Sequence, residues 1–160
     1  MNARRLRSLP GLIASAVLAL LLAGCGVTIP ADPNGTLEDV RDGVLRVGVS
    51  PDPPLVSDVD GGPSGSIVAL VDRFAKTLDA EPEWTVATEE TLVGMLEKGD
   101  LDLIAGGITV DTPWFERAGV TRGFTDIEGA DGRELVMLVP LGENAYLSAL
   151  ERFLDAEAGS

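Results

Sequence analysis

The sequence predicts a three-layer α/β/α domain built on a mostly parallel sheet. Short apolar runs alternate along the chain with segments whose apolar residues recur at helical spacing. The run 101–108 is apolar apart from Asp102, which is typical of a strand buried on both faces. Chains that alternate strands and helices in this way place a parallel sheet between two layers of helices.

The first half of the domain contains two predicted strands and two predicted helices. The apolar run 44–49 predicts the first strand, and the prolines that follow end it. A second strand is predicted over 83–87, followed by a short helix that ends near Gly99. The helix between these strands has one apolar face, formed by Ile67, Leu70, Val71, Phe74 and Leu78.

The second half begins with the buried strand over 101–108. Thr112 and Pro113 open a short helix, since proline suits the first helical position. A further strand is predicted over 134–139, and Asn144 is the predicted cap of a last helix. The apolar face of that helix is formed by Tyr146, Ala149, Leu150, Phe153 and Leu154.

The amino-terminal segment has the order of a secretory signal. Arginines at positions 4, 5 and 7 precede an uncharged stretch over 10–24, and small residues lead to Cys25. The tetrapeptide Leu-Ala-Gly-Cys at 22–25 resembles the lipobox of bacterial lipoproteins. That resemblance implies a signal peptide over 1–24, a diacylglycerol on Cys25, and an exported chain anchored to the cell membrane, facing the periplasm or the cell exterior. A plain signal peptide with an incidental cysteine is the alternative.

Composition excludes several classes of function. The chain has 26 acidic and 12 basic side chains and a formal net charge of −14, which argues against nucleic acid as a partner. It has no histidine and one cysteine, so histidine-based catalysis and His/Cys metal sites are unavailable. We expect no cofactor, no metal and no enzymatic activity, and we expect the lipid bilayer to be contacted through the Cys25 acyl chains alone.

Composition also predicts the domain limits. Residues 25–42 have prolines, acids and no apolar period, which predicts a flexible acidic tether. The ordered lobe is predicted over 43–155, and a disordered tail over 156–160.

Five blocks in the lobe resemble the type II periplasmic solute-binding proteins of the amino-acid ABC-transporter kind. In order they are LRVGVSPDPP, GSIVALVDRFAKTL, EKGDLDLIAGGIT, ERAGVTRGF and VMLVPLGENAYLSALERFL. Proteins of that family have two lobes that trap a solute and present it to an ABC permease in the membrane. The second lobe is normally inserted between the positions of Phe124 and Glu134, where only residues 125–133 stand here. The resemblance therefore implies the first lobe alone.

The resemblance also implies site residues. The turn Gly107-Ile108-Thr109 stands where the family holds the ammonium and carboxylate groups of the solute; a tight connection that needs glycine for packing is the alternative. The family's carboxylate-binding arginine falls at the position of Trp114, and Arg117 comes three residues later. Arg117 is the candidate carboxylate clamp, unless it is an exposed arginine paired with a nearby acid.

The remaining candidates flank these residues. Asp111 stands at a threonine position of the family and is a candidate for the solute ammonium or, preferably, a helix cap. Trp114 is a candidate for lining the cleft, and Thr121 matches a family position that leads into the hinge. Asp52 follows the first strand, where the family often has a ligand-facing acid.

These observations predict a lipid-anchored solute-binding component of an ABC-type uptake system, for a small polar solute such as an amino acid. Because one lobe offers half of the usual contacts and leaves the solute in water, weak binding is expected. The alternative is a protein-interaction or sensing module derived from the same lobe.

Overall fold

The computed structural model describes residues 31–59 and 61–158. Its helices are α1 (Thr36–Val40), α2 (Ser66–Thr77), α3 (Glu89–Glu97), α4 (Asn144–Glu157) and a 3-10 helix over Pro113–Glu116. Its strands are β1 (Val44–Val49), β2 (Ser57–Val59), β3 (Gly62–Ser64), β4 (Glu81–Val86), β5 (Leu103–Ala105), β6 (Gly119–Val120) and β7 (Leu138–Val139). None of the helices in this described part is long and apolar enough to span a bilayer.

The central sheet has the strand order β4-β1-β5-β7-β6. Strands β4, β1 and β5 are parallel, with Val47 opposite both Trp84 and Leu103, while β7 runs antiparallel to β5 and to β6. The predicted α/β fold with a mostly parallel sheet is therefore confirmed. Strands β2 and β3 form a separate antiparallel hairpin.

Two buried clusters confirm the three layers. Side chains that alternate along β1, such as Leu45 and Val47, pack with Phe74 of α2 and Tyr146 of α4 on one face of the sheet. The other face carries Ile104 and Leu138 against α3, whose buried residues are Leu92, Val93 and Leu96. The predicted apolar faces of α2 and α4 are the ones that the structure buries.

The strand predicted over 101–108 is shorter than expected, because β5 covers only three residues. Asp102, which interrupts the apolar run, is 4% exposed. Its carboxylate accepts hydrogen bonds from the Arg46 backbone N–H at 2.9 Å and from Arg46 Nε at 3.0 Å. A buried carboxylate is tolerated here because a guanidinium and a backbone donor satisfy it.

The predicted flexible tether over 25–42 is wrong for residues 31–42. Helix α1 lies in this segment and buries Val40 in the main cluster. Asp32 accepts hydrogen bonds from the backbone N–H groups of Ala145 and Tyr146, which open α4. Composition gave no sign of this packing because the contacts are made by capping groups, Val40 and the half-buried Leu37 rather than by a periodic apolar face.

Two smaller predictions at the carboxyl end are also wrong. The Asn144 side chain does not cap α4, because Asp32 supplies the acceptor instead. The tail predicted as disordered from residue 156 is helical to Glu157, and Ala158 is 2% exposed. The predicted signal peptide, Cys25 and residues 26–30 of the predicted tether lie outside the described residues, as do residues 159–160.

The connection over 125–133 folds back onto the lobe. Ile127 and Ala130 are buried in the main cluster, and the Ser66 hydroxyl donates to the carbonyl oxygen of Glu128 at 2.6 Å. Leu135 then forms isolated bridges with Thr109 and Phe124 before β7 begins. This connection leads the chain from Phe124 straight back into the sheet and carries Arg133 to the end of the parallel strands.

Candidate functional site

A cavity of about 820 Å³ lies beyond the carboxyl ends of β1 and β4. It is lined by the segments 50–52 and 86–90, by Gly107 and by Arg133. In parallel sheets the strand ends leave backbone groups and loops free at this edge, where ligands commonly bind. The segments that leave β1, β4 and β5 therefore surround one opening.

Asp52 and Arg133 form an ion pair across this opening. Arg133 Nη1 donates to Asp52 Oδ2 at 2.7 Å, and the two side chains are 36% and 33% exposed, respectively. Arg133 Nε also donates to the carbonyl oxygen of Ala130 at 3.1 Å. The carbonyl oxygen of Ala130, in the same loop, and the carboxylate of Asp52, in the loop after β1, thus fix the plane of the Arg133 guanidinium.

Gly107 lies directly beside this ion pair. A Cβ atom built at Gly107 would lie 1.8 Å from Asp52 Oδ2 and 3.1 Å from Arg133 Nη1. Any larger residue would therefore displace the carboxylate. Because residue 107 is a glycine, the Asp52 side chain can lie directly against the backbone at this position.

Two further acids stand on the rim at the start of α3. Glu89 and Glu90 both line the cavity, and Glu89 Oε2 accepts a hydrogen bond from Trp114 Nε1 at 3.1 Å. The lining therefore carries the carboxylates of Asp52, Glu89 and Glu90 against the single guanidinium of Arg133. The excess of negative charge favours a ligand with a cationic group.

Arg117, the candidate clamp, is not brought to this cleft. Its Nε donates to Glu97 Oε1 at 2.9 Å, and a second bond joins the same pair. The hydrogen bond to Glu97 raises the pKa of Arg117, and the same bond lowers the pKa of Glu97. Arg117 instead lines a different cavity of about 660 Å³, together with Arg46 and Asp102 near the amino ends of the strands.

The candidates Ile108, Thr109 and Thr121 are not among the residues that line the cleft. Ile108 is buried, and its carbonyl oxygen accepts from the Val136 N–H; Thr109 forms an isolated bridge with Leu135. Thr121 is 4% exposed, and its hydroxyl accepts from the Met137 N–H at 2.9 Å.

Asp111 is exposed and does not cap the helix that follows. Thr112 takes that place, since its hydroxyl accepts from the Trp114 N–H at 3.4 Å. Of the predicted site residues, only Asp52 and Gly107 line the cleft, while Trp114 borders it through Glu89.

Arg133 is the cleft residue that sequence reasoning missed. The only signal available was that it is the single basic residue between Phe124 and Glu134. Its connection looked like a simple remnant of a larger insertion. The position of its side chain depends on how that connection packs, which local patterns do not report.

Two solved structures of similar fold are single domains of a larger protein. Domain 1 of TmArgBP, from T. maritima, in its arginine-bound form superposes with a TM-score of 0.62 and 23% identity, over 71% of this chain and 92% of that one. A point mutant of that domain gives 0.65 and 23%, over 76% and 96%. An ancestral arginine-binding protein bound to arginine gives 0.61 and 12%, over 73% and 92%.

The sequence itself matches a family. The model of "Bacterial extracellular solute-binding proteins, family 3" covers residues 45–119, from β1 to the start of β6. These 75 of the 160 residues are similar to the family 3 solute-binding proteins. No curated protein matches it.

The match to the family 3 model indicates a protein of the solute-binding type. Four residues that line the cleft at the carboxyl ends of β1 and β4 fall inside the matched stretch: Asp52, Glu89, Glu90 and Gly107. Arg133 falls outside that stretch, so the cationic side chain that lines the cleft lies beyond the matched residues.

Proposed function

We propose that this lobe binds a small amino acid or similar polar solute in the cleft and serves an ABC-type uptake system from the outer face of the membrane. The observation that carries the proposal is the cleft itself, where fixed charges of both signs meet. A zwitterion needs an acceptor for its ammonium and a donor for its carboxylate, and the cleft supplies carboxylates and a guanidinium.

The single-lobe neighbours support binding by one lobe. Domain 1 of TmArgBP is described in an arginine-bound form, and it aligns with most of this chain. The acidic excess of the present cleft is compatible with a cationic amino acid. Arginine and lysine are therefore the first solutes to test.

The affinity is expected to be weak. A solute held by one lobe remains partly hydrated, and charged hydrogen bonds gain much less in water than in a closed, dry site. We expect dissociation constants weaker than micromolar for the monomer. If two copies close a cleft between them, affinity will rise with protein concentration.

The test is a titration of the ¹⁵N-labelled lobe with a panel of amino acids, read beside its oligomeric state. Binding is expected to shift the backbone signals of Gly107, Glu89 and Glu90. Gly107→Ala, which displaces Asp52, is expected to abolish the shifts, whereas Gly94→Ala, with open space around it, leaves them in place. If no amino acid shifts these signals at millimolar concentration, solute binding is refuted.

The membrane anchor is part of the same proposal. Cys25 is proposed to carry the acyl chains that keep the lobe beside the permease. In the full chain expressed in a bacterium, Cys25→Ser should move the protein from the membrane fraction to the soluble exported fraction. Retention in the membrane by that variant would contradict lipid anchoring through Cys25.

A second candidate function is a protein-interaction or sensing module. Exposed apolar side chains favour it, since Phe115 is 65% exposed and Leu141 is 60% exposed. The amino-acid titration separates the two, because a module without a solute would give no shifts at Gly107.

A further inference from the structure

The guanidinium of Arg133 is held at two points and left open at a third. Its Nε is bound to the carbonyl oxygen of Ala130, and its Nη1 is bound to Asp52. Within residues 31–59 and 61–158, Nη2 makes no hydrogen bond. A guanidinium carries donors on two edges, so an arginine held in this way can still donate to a planar acceptor in the cavity.

Arg133 is also the sole cationic side chain among the described residues of the cleft lining. Arg117, which stands nearest to the expected clamp position, is engaged by Glu97 elsewhere. Trp114, at the expected spacing itself, has no charge and donates to Glu89. A solute carboxylate that enters the cleft therefore has one charged donor available, and it comes from the connection over 125–133.

We propose that Arg133 is the carboxylate-binding and specificity-determining residue of the cleft, with Asp52 as its positioning residue. The proposal rests on the solute-binding function proposed above. Glu89 and Glu90 then face the cationic part of the solute. The preferred ligand class is a molecule with a carboxylate at one end and a cationic group at the other, such as a basic amino acid.

A positioning role for Asp52 predicts different binding results from direct contact between Asp52 and the solute ammonium. If Asp52 bound the solute ammonium directly, its removal would weaken every cationic ligand. As a positioning residue it acts through the orientation of Arg133, so its removal affects only ligands that carry a carboxylate. Gly107 allows this arrangement, because the Asp52 carboxylate occupies the space where a Cβ atom at residue 107 would lie.

The test compares L-arginine with agmatine, which is the same molecule without the carboxylate. In wild type, arginine is expected to bind more tightly than agmatine. Arg133→Gln should weaken arginine by about ten- to a hundredfold and change agmatine by less than about twofold, since charged hydrogen bonds are worth roughly that much. Arg133→Lys keeps the charge without the fork and should fall between wild type and Arg133→Gln.

Asp52→Asn should also lower the affinity for arginine and spare agmatine. Arg122→Gln is the matched control, because Arg122 pairs with Asp155 of α4 and does not line the cleft; it should change neither affinity. Circular dichroism of each variant confirms that the lobe is folded.

The outcomes separate this inference from the proposed function. Equal loss of both ligands in Arg133→Gln, or no loss, would overturn the role of Arg133 while leaving solute binding intact. Tighter binding of both ligands would show that Arg133 competes with the solute for Asp52, which also overturns the clamp. Equal loss of both ligands in Asp52→Asn would overturn the positioning role, and absence of any binding in wild type would overturn solute binding and the clamp together.

Discussion

Asp32 caps the helix that follows Glu143, and Glu143 caps the helix that follows Asp32. Asp32 Oδ1 accepts from the N–H groups of Ala145 at 2.8 Å and Tyr146 at 3.0 Å. Glu143 Oε2 accepts from the Thr36 N–H at 3.0 Å, and its Oε1 accepts from the Asn34 N–H at 3.0 Å. Each carboxylate also lies at the positive end of a helix dipole. This exchange joins α1 to the start of α4.

The first prediction concerns Asp32. Asp32→Ala removes the acceptor at the start of α4 and should lower the free energy of unfolding by about 1–2 kcal/mol, the usual value of an aspartate cap. Asn144→Ala is the control, because the Asn144 side chain is exposed and makes no capping bond. Urea unfolding measures both. A larger loss in Asn144→Ala than in Asp32→Ala would contradict the capping assignment.

The second prediction is a pH dependence that comes from Glu143. Burial by itself would raise the pKa of Glu143, but the hydrogen bonds donated by Asn34 and Thr36 outweigh burial and lower the pKa below its ordinary value of 4.5. A carboxyl whose pKa is lower in the folded state stabilises the protein above its unfolded pKa. That stabilisation is lost as the pH falls through the folded pKa.

Glu143→Gln tests this pH dependence directly. At pH 7 the variant should be less stable than wild type, because glutamine keeps one acceptor oxygen and no charge. As the pH falls below about 4.5, the two unfolding free energies should converge, since wild-type Glu143 then becomes protonated. A gap that stays constant from pH 7 to pH 3 would refute the role of the Glu143 charge.

The third prediction concerns the hydroxyl of Tyr146. Tyr146 is fully buried, and its hydroxyl has no hydrogen-bond partner among the described residues. Burial raises the pKa of Tyr146 well above its ordinary value. Tyr146→Phe removes a polar group that is desolvated without compensation, so the unfolding free energy should rise by about 1 kcal/mol.

Tyr146→Leu is the companion variant. It removes the ring that packs 6.0 Å from the Phe74 ring, centroid to centroid, and it should lower stability by about 2–4 kcal/mol. Thermal and urea unfolding measure both variants. Destabilisation by Tyr146→Phe would mean that the hydroxyl has a bonding partner.

The fourth prediction separates two glycines by their surroundings. A Cβ at Gly48 of β1 would lie 2.7 Å from both Leu92 Cδ2 and Leu101 Cδ1, so α3 packs against bare backbone. Gly48→Ala should cost about 1–3 kcal/mol through overpacking. Gly94 of α3 has no atom within 4 Å of its Cβ position, so Gly94→Ala should stabilise the lobe by about 0.5–1 kcal/mol. Equal effects of the two substitutions in urea unfolding would refute this account of the sheet–helix contact.

The central elements were predictable because their signals are local. The apolar run 44–49 is β1 throughout its length, and the face containing Phe74 is the buried face of α2. Periodicity reports which side of an element meets the core, and in this lobe the core covers those sides. The strand predicted over 134–139 is longer than the observed one, because only Leu138 and Val139 form β7 and Leu135 makes isolated bridges.

The candidate site was predictable only in part. Asp52 follows the first predicted strand and Gly107 lies near the end of the strand predicted over 101–108, so their place at one sheet edge could be inferred from topology. Arg117 is the candidate clamp because it comes three residues after the family's arginine position at Trp114, yet in the structure it follows the 3-10 helix and its side chain pairs with Glu97. Arg133 lies in a connection with no periodicity, and no local rule assigns such a residue to the cleft.

The sequence by itself determined the class of fold, the order of the main strands and helices, and the absence of room for a second lobe between Phe124 and Glu134. Tertiary structure decided which charged groups meet: Asp32 with α4, Glu143 with α1, Arg117 with Glu97 and Arg133 with Asp52. The physical reason is that these two kinds of interaction differ in how far apart their partners lie along the chain. Apolar burial repeats with the period of each element and can be read along the chain, whereas a carboxylate selects its partner from whatever donor the folded chain brings within about 3 Å.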